Sequence, residues 1–156
     1  MAGTPWTTAR HYAVDIVEVP EIDARGGDTH GAAMVASRHA LAKLPVEPDY
    51  ILVDGGESLE GVSARCKPIP RGDSTCLSIA AASIIAKVTR DRRMNELAAL
   101  YPGYHFEDHK GYNPPTKHTE SHLDILGRLG PLPGVHHYSN KVVGRLLHRR
   151  PGHDAP

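Results

Sequence analysis

Apolar and polar positions along the chain fall into several patterns, each predicting a different element. In residues 11–19, Tyr12, Val14, Ile16, Val17 and Val19 are interrupted by Asp15, which predicts a strand, with residues 20–23 turning out of it. After Gly26 and Gly27, the capping residues Asp28 and Thr29 introduce a helix. Ala33, Ala36, Ala40, Leu41 and Leu44 share one of its faces, and Pro45 and Pro48 close it. Tyr50, Ile51, Leu52 and Val53 form a continuous apolar run, the pattern of a parallel strand covered on both faces. Strand, helix, strand in this order predicts a right-handed crossover.

A loop over residues 61–71 holds a short strand near 65–69, with no Walker-type spacing of glycines before a lysine. Residues 72–94 then read as a polar turn entering a long helix. Ala80, Ala81 and Ala82 keep bulk low against a sheet, and Ile84, Ile85 and Val88 form an apolar stripe, so the first half is expected to be buried. From Lys87 onward, Arg90, Arg92 and Arg93 turn the helix toward solvent or a polyanion. Tyr101, Pro102 and Gly103 stop it. A loop is expected over 104–115, and Leu123, Leu126 and Leu129 predict a short amphipathic helix ending at Gly130.

With 156 residues and 40% hydrophobic content, the chain is sized for one ordinary domain. Its 18 basic and 18 acidic side chains balance, but residues 1–78 carry 7 basic against 11 acidic and residues 79–156 the reverse. A basic second half suits a phosphate backbone, or is simply a solvated surface that segregates. Cys66 and Cys76 are too few and too far apart for a metal knuckle or a disulfide framework, which predicts a reduced, cytoplasmic setting. No apolar run approaches the roughly 20 residues of a membrane span, and the N-terminus shows no apolar signal core. The tripeptide Arg71-Gly72-Asp73 has no meaning as an adhesion motif in that setting.

Two aspartates carry the candidate chemistry. Asp54 stands at the carboxyl end of an apolar strand, where open α/β sheets place ligands, although Asp54-Gly55-Gly56 also reads as a plain turn. Asp73 opens the long helix, where capping by Asp73, Ser74, Thr75 or Ser78 is an alternative. If both reach one sheet edge they repel unless a cation joins them. Mg²⁺ or Mn²⁺ fits carboxylate oxygens while keeping waters for phosphates. Glu57 and Glu60 are weaker carboxylate candidates, and His118, Glu120 and His122 fail the zincin spacing because Thr119 follows the first histidine.

Several motifs in order resemble ribonuclease HII over roughly residues 11–142. They are Val53-Asp54-Gly55, the run from Gly72-Asp73 to Met94, His109-Lys110-Gly111-Tyr112, His122-Leu123 before Gly130-Pro131, and His136-His137-Tyr138-Ser139. The sequence departs from that family by a longer link over residues 113–118 and by Asn140 where an aromatic is common. It shows no counterpart of the opening Asp-Glu-x-Gly-Arg-Gly strand. Asp15 is not a convincing substitute for that strand's carboxylates.

The resemblance implies an α/β, ribonuclease H-like mixed sheet with flanking helices, N-terminal strands missing, and a small C-terminal helical region. Expected boundaries are residues 1–147 for the truncated domain, helical from about 101, and a disordered tail over 148–156. It implies a metal-dependent endonuclease that cuts the RNA strand of an RNA–DNA hybrid, or 5′ to a lone ribonucleotide in duplex DNA. Four carboxylates would hold two Mg²⁺ or Mn²⁺ ions, of which Asp54 and Asp73 are two, so this chain is expected to be catalytically incomplete. Tyr112 takes the place of the residue that packs beside the ribose, with Lys110, Lys87 and Arg71 as further nucleic-acid contacts. A hybrid-binding module without catalysis and a ribonuclease HIII-like nuclease are the alternatives. No membrane and no obligate protein partner are expected.

Overall fold

The computed structural model describes residues 11–112 and 121–148. Its contacts divide the chain into two units, residues 1–17 with 33–86, and residues 18–32 with 87–156. The helical unit takes in the second half of the long helix and an early segment.

In the first unit the apolar run forms β1 (Tyr50–Asp54), paired in parallel with β2 (Arg65–Ile69) from Tyr50 opposite Arg65 to Asp54 opposite Ile69. The Gly55 amide donates to the Ile69 carbonyl at 3.1 Å and ends the ladder. Among the described residues this pair is the whole sheet, so the expected α/β class holds with a small parallel sheet.

Residues 11–18 form no strand and join no ladder, contrary to the expected strand. Asp15 instead accepts from Lys43 and lies 3.0 Å from His39 Nδ1, while Lys43 also donates to the Val14 carbonyl. These contacts spend the segment's polar groups on a helix rather than on a neighbouring strand. The expected turn after it is α1 (Val19–Ala24), where Pro20 sits in the first turn and its missing N–H costs nothing.

Helix α2 (Thr29–Ala42) starts as expected, with Asp28 Oδ1 accepting from the Gly31 amide at 2.8 Å. Asp73 does not cap the long helix. It lies in a separate single turn, α3 (Gly72–Thr75), and extended Cys76 precedes α4 (Leu77–Leu100). At 24 residues α4 runs about 36 Å.

Burial departs from the sequence pattern in this unit. Along β1, Tyr50 and Leu52 are exposed while Ile51 and Val53 are half-buried, so the strand is not covered on both faces. On α4, Leu77 is 79% and Ile84 60% exposed, whereas Ile79 is buried. Two strands form too narrow a sheet to cover these side chains, and nothing else among the described residues of the unit does so.

The second unit is organised by a ring cluster. Phe106 and Ile125 are its most deeply buried side chains, with Ala98, Tyr104, Leu126 and Val143 completing the core. The expected loop after α4 is instead a 3-10 turn (Pro102–Tyr104) and a single helical turn, α5 (Phe106–His109). His105 and Lys110, both in the left-handed region, flank that turn. Helix α6 (His122–Leu129) ends at Gly130 as expected, and Ser121 caps it by accepting from the Asp124 amide. The expected cap Thr119, together with His118, Glu120 and residues 113–117, lies outside the described residues, as does the tail from residue 149.

Helix α7 (Lys141–His148) completes the unit, and Asp23 ties its approach to α1. The Asp23 carboxylate accepts from the Tyr138 and Ser139 amides and from Ser139 Oγ at 2.6 Å, and these bonds hold it below the ordinary carboxylate range. Among the described residues no helix is long and apolar enough to cross a membrane.

Candidate functional site

Parallel pairing delivers Asp54 to the carboxyl end of β1, where α3 packs against the strand. There Asp54 Oδ1 accepts from the Gly72 amide at 2.8 Å. The next residue is Asp73, one Cα step of about 3.8 Å further on, so its backbone follows directly on the amide that Asp54 holds. Both aspartates are exposed. Asp73 Oδ1 accepts from Ser74 Oγ at 3.2 Å.

Gly72 makes this approach possible by lacking a side chain. A methyl at its Cβ position would stand 2.5 Å from Ile79 Cδ1 and 3.4 Å from Asp54 Oδ1. Arg71, in the left-handed region at φ 55°, turns the chain out of β2, and its carbonyl accepts from the Ser74 amide and Thr75 Oγ1. Both candidate carboxylates are open to water, and as hard oxygen donors they would suit Mg²⁺ or Mn²⁺ rather than a thiophilic metal. Cys66 and Cys76 are free thiols, and Cys66 Sγ accepts from the Leu59 amide.

The His109-Lys110-Gly111-Tyr112 loop belongs to the second unit. His109 is buried; its Nδ1 accepts from the Gly111 amide at 2.9 Å, so Nε2 carries the proton and donates to the Tyr104 carbonyl at 2.8 Å. The Tyr112 amide donates to the His109 carbonyl at 2.8 Å. Lys110 donates to Asn95, and Tyr112 is 57% exposed. Lys87, also exposed, is paired with Asp91 one helical turn on. Arg90 reaches this loop from α4, its guanidinium carbon 4.4 Å from the Tyr112 ring centroid and its Nη2 donating to the Lys110 carbonyl at 2.7 Å. Sequence reasoning missed that contact, because Arg90 sits in a basic run where nothing marks one cation from the next.

His122 is a packing residue, as the failed zinc spacing implies. Its ring lies 4.4 Å from that of His109 and 5.3 Å from that of His136, all three within about 6 Å of Phe106 by centroid. Burial pushes the pKa of His122 down to about 4, and the charges of His109 and His136 add to this. Burial does the same to His136, also to about 4. Among the described residues, one group of three potential ligands brings its atoms together, the exposed His105, Glu107 and Asp108 within 4.8 Å. Nothing else in the structure points to an ion there.

The family model described as Ribonuclease HII matches residues 6–139. Ribonuclease HII of Nitrobacter hamburgensis is 43% identical over 93% of this chain and 52% of its own length. That of Rhodococcus erythropolis is 41% identical over 90% and 60%. The chain thus spans little more than half the length of these curated relatives. The crystal structure of ribonuclease H2 from Pyrococcus horikoshii OT3 superposes with a TM-score of 0.60 at 22% identity, covering 85% of this chain and 66% of that one, which shows a shared fold. Sequence relatives, family match and fold agree, and the chain belongs to the ribonuclease HII family.

Proposed function

We propose that this chain serves a divalent-metal-dependent endonuclease that hydrolyses the RNA strand of RNA–DNA hybrids, or cuts 5′ to a ribonucleotide in duplex DNA. The observation that supports this reading is the Asp54–Gly72 hydrogen bond, which ties the end of β1 to the backbone immediately before Asp73. Asp54 Oδ1 is committed to the amide, leaving Oδ2 for an ion, and Asp73 supplies a second carboxylate. Bound Mg²⁺ or Mn²⁺ would activate water and stabilise the leaving 3′ oxygen. The two residues' task is to hold the ion where a phosphate can reach it, with Arg71 beside them as a phosphate contact. In the second unit, Lys110 and Lys87 take phosphates, and the exposed Tyr112 stacks on the sugar or base next to the ribonucleotide. A cytoplasmic location goes with such a substrate.

With two carboxylates where the resemblance implies four, the 156-residue chain by itself is expected to bind far better than it cuts. The test uses this chain with three labelled duplexes: an RNA–DNA hybrid, a DNA duplex with one ribonucleotide, and an all-DNA control. Salt-sensitive binding that favours the first two, with slow Mn²⁺-dependent cleavage lost in Asp54→Asn and Asp73→Asn, supports the reading. Equal affinity for all three duplexes contradicts it.

A second reading, a hybrid-binding module without catalysis, is favoured by a loop around Tyr112 that protein contacts alone hold in place. It predicts binding that survives both aspartate substitutions, and no cleavage at any metal concentration.

A further inference from the structure

We propose that Arg90 is the positioning residue for Tyr112, setting its ring for stacking on the substrate; the inference rests on the stacking role given to Tyr112 above. The guanidinium does two things at once from the rigid framework of α4. Its guanidinium carbon lies over the Tyr112 ring, 4.4 Å from the centroid, and its Nη2 donates to the Lys110 carbonyl at 2.7 Å. One planar cation therefore fixes both the ring and the backbone two residues before it. A lysine has no plane to stack and donates as a point charge, so it cannot do both.

Gly111, between the two held groups, lies close over the arginine. Its φ of 76° is left-handed, and a methyl there would stand 3.6 Å from Arg90 Nη2 and 3.5 Å from Met94 Cε. Lys110 also adopts a left-handed φ of 50°, unfavourable for a residue with a side chain. Both of its ends are tied to α4, the carbonyl to Arg90 and the ammonium to Asn95. The guanidinium also leaves Nη1 buried with no hydrogen-bond partner among the described residues.

Tyr112 itself remains 57% exposed. Arg90 is half-buried against it and does not serve as a phosphate contact. The arrangement makes Tyr112 a stacking platform already oriented before substrate arrives, so binding does not carry the cost of ordering the ring.

The test is a double-mutant cycle on the full chain, read by fluorescence anisotropy with a DNA duplex carrying one ribonucleotide. NMR of the free protein supplies the second readout, and thermal melts confirm that each variant folds. Arg90→Gln is expected to weaken binding about fivefold, and to add nothing in the Tyr112→Ala background. Arg90→Lys, which keeps the charge and the helix, is expected to behave the same way. The salt slope of binding stays that of the parent, and Arg90 side-chain protons carry a ring-current shift that disappears in Tyr112→Ala.

Additive losses would overturn the positioning role alone, as would a salt slope reduced by about one, the mark of a lost phosphate contact. Absence of the ring-current shift would overturn it too. If Tyr112→Ala binds as tightly as the parent, the stacking role fails first and the positioning role with it.

Discussion

Substituting alanine for Gly72 tests the packing that brings α3 onto the Asp54 carboxylate. Gly72 is buried at the start of α3 with an ordinary helical backbone, so its role is space and not conformational freedom. The added methyl would meet Ile79 Cδ1 at 2.5 Å, with Asp54 Oδ1 and Ile69 Cβ both at 3.4 Å. Ile79 is only 5% exposed, which leaves its Cδ1 little room to retreat.

Overpacking of this kind costs about 1–3 kcal/mol, and the gain in helix propensity from Gly to Ala returns about 1 kcal/mol at most. A net loss of about 1–2 kcal/mol is expected, which at this chain length lowers the melting temperature by roughly 2–8 °C. The assay is thermal and urea unfolding followed by circular dichroism. Ile79→Val removes the clashing carbon and itself costs about 0.5–1.5 kcal/mol. The double variant should therefore be more stable than the sum of the singles by about 1 kcal/mol. A Gly72→Ala protein as stable as the parent, or strictly additive effects in the pair, would refute the reasoning.

Two further outcomes concern the helical unit. His122 and His136 are held near pKa 4 by burial against an ordinary value of 6.5. Unfolding therefore takes up protons between these values, and stability is full above about pH 7 and falls as pH drops from 6.5 to 4. A urea midpoint that stays flat over that window, or replacement of both histidines by phenylalanine without flattening it, would contradict the assignment. Phe106, 1% exposed at the centre of the ring cluster, should cost about 3–5 kcal/mol when replaced by alanine, checked by loss of the dispersed aromatic and methyl NMR signals of that unit.

Local signals in the sequence were enough where an element's cause lies within it. The Asp28 cap, the apolar run of β1, the Tyr-Pro-Gly stop after α4 and the Gly130 end of α6 each correspond to an observed boundary, whereas of the Leu123, Leu126, Leu129 stripe only Leu126 is buried, beside Ile125, and Leu123 is exposed. Failures came where a residue's fate depends on distant parts of the chain. Ile84 and Val88 read as core, but side-chain pattern states only what a residue would bury against, and no described element supplies the cover. Residues 11–18 read as a strand, yet Asp15 pairs with Lys43, some 28 positions away. Lys110 gives no sign of its left-handed backbone, since glycine is the usual marker and the marker here is its neighbour. At the site, the motif pointed to Asp54 and Asp73 but not to the Gly72 amide that Asp54 accepts from, and it was silent on Arg90.

Titration of the chain with Mn²⁺, followed by electron paramagnetic resonance, tests the central claim most directly. If Asp54 and Asp73 share one ion, each single change to asparagine removes the same binding event, and the double variant loses nothing more. Retention of that event in either single variant, or separate and additive losses from the two, would contradict a shared site.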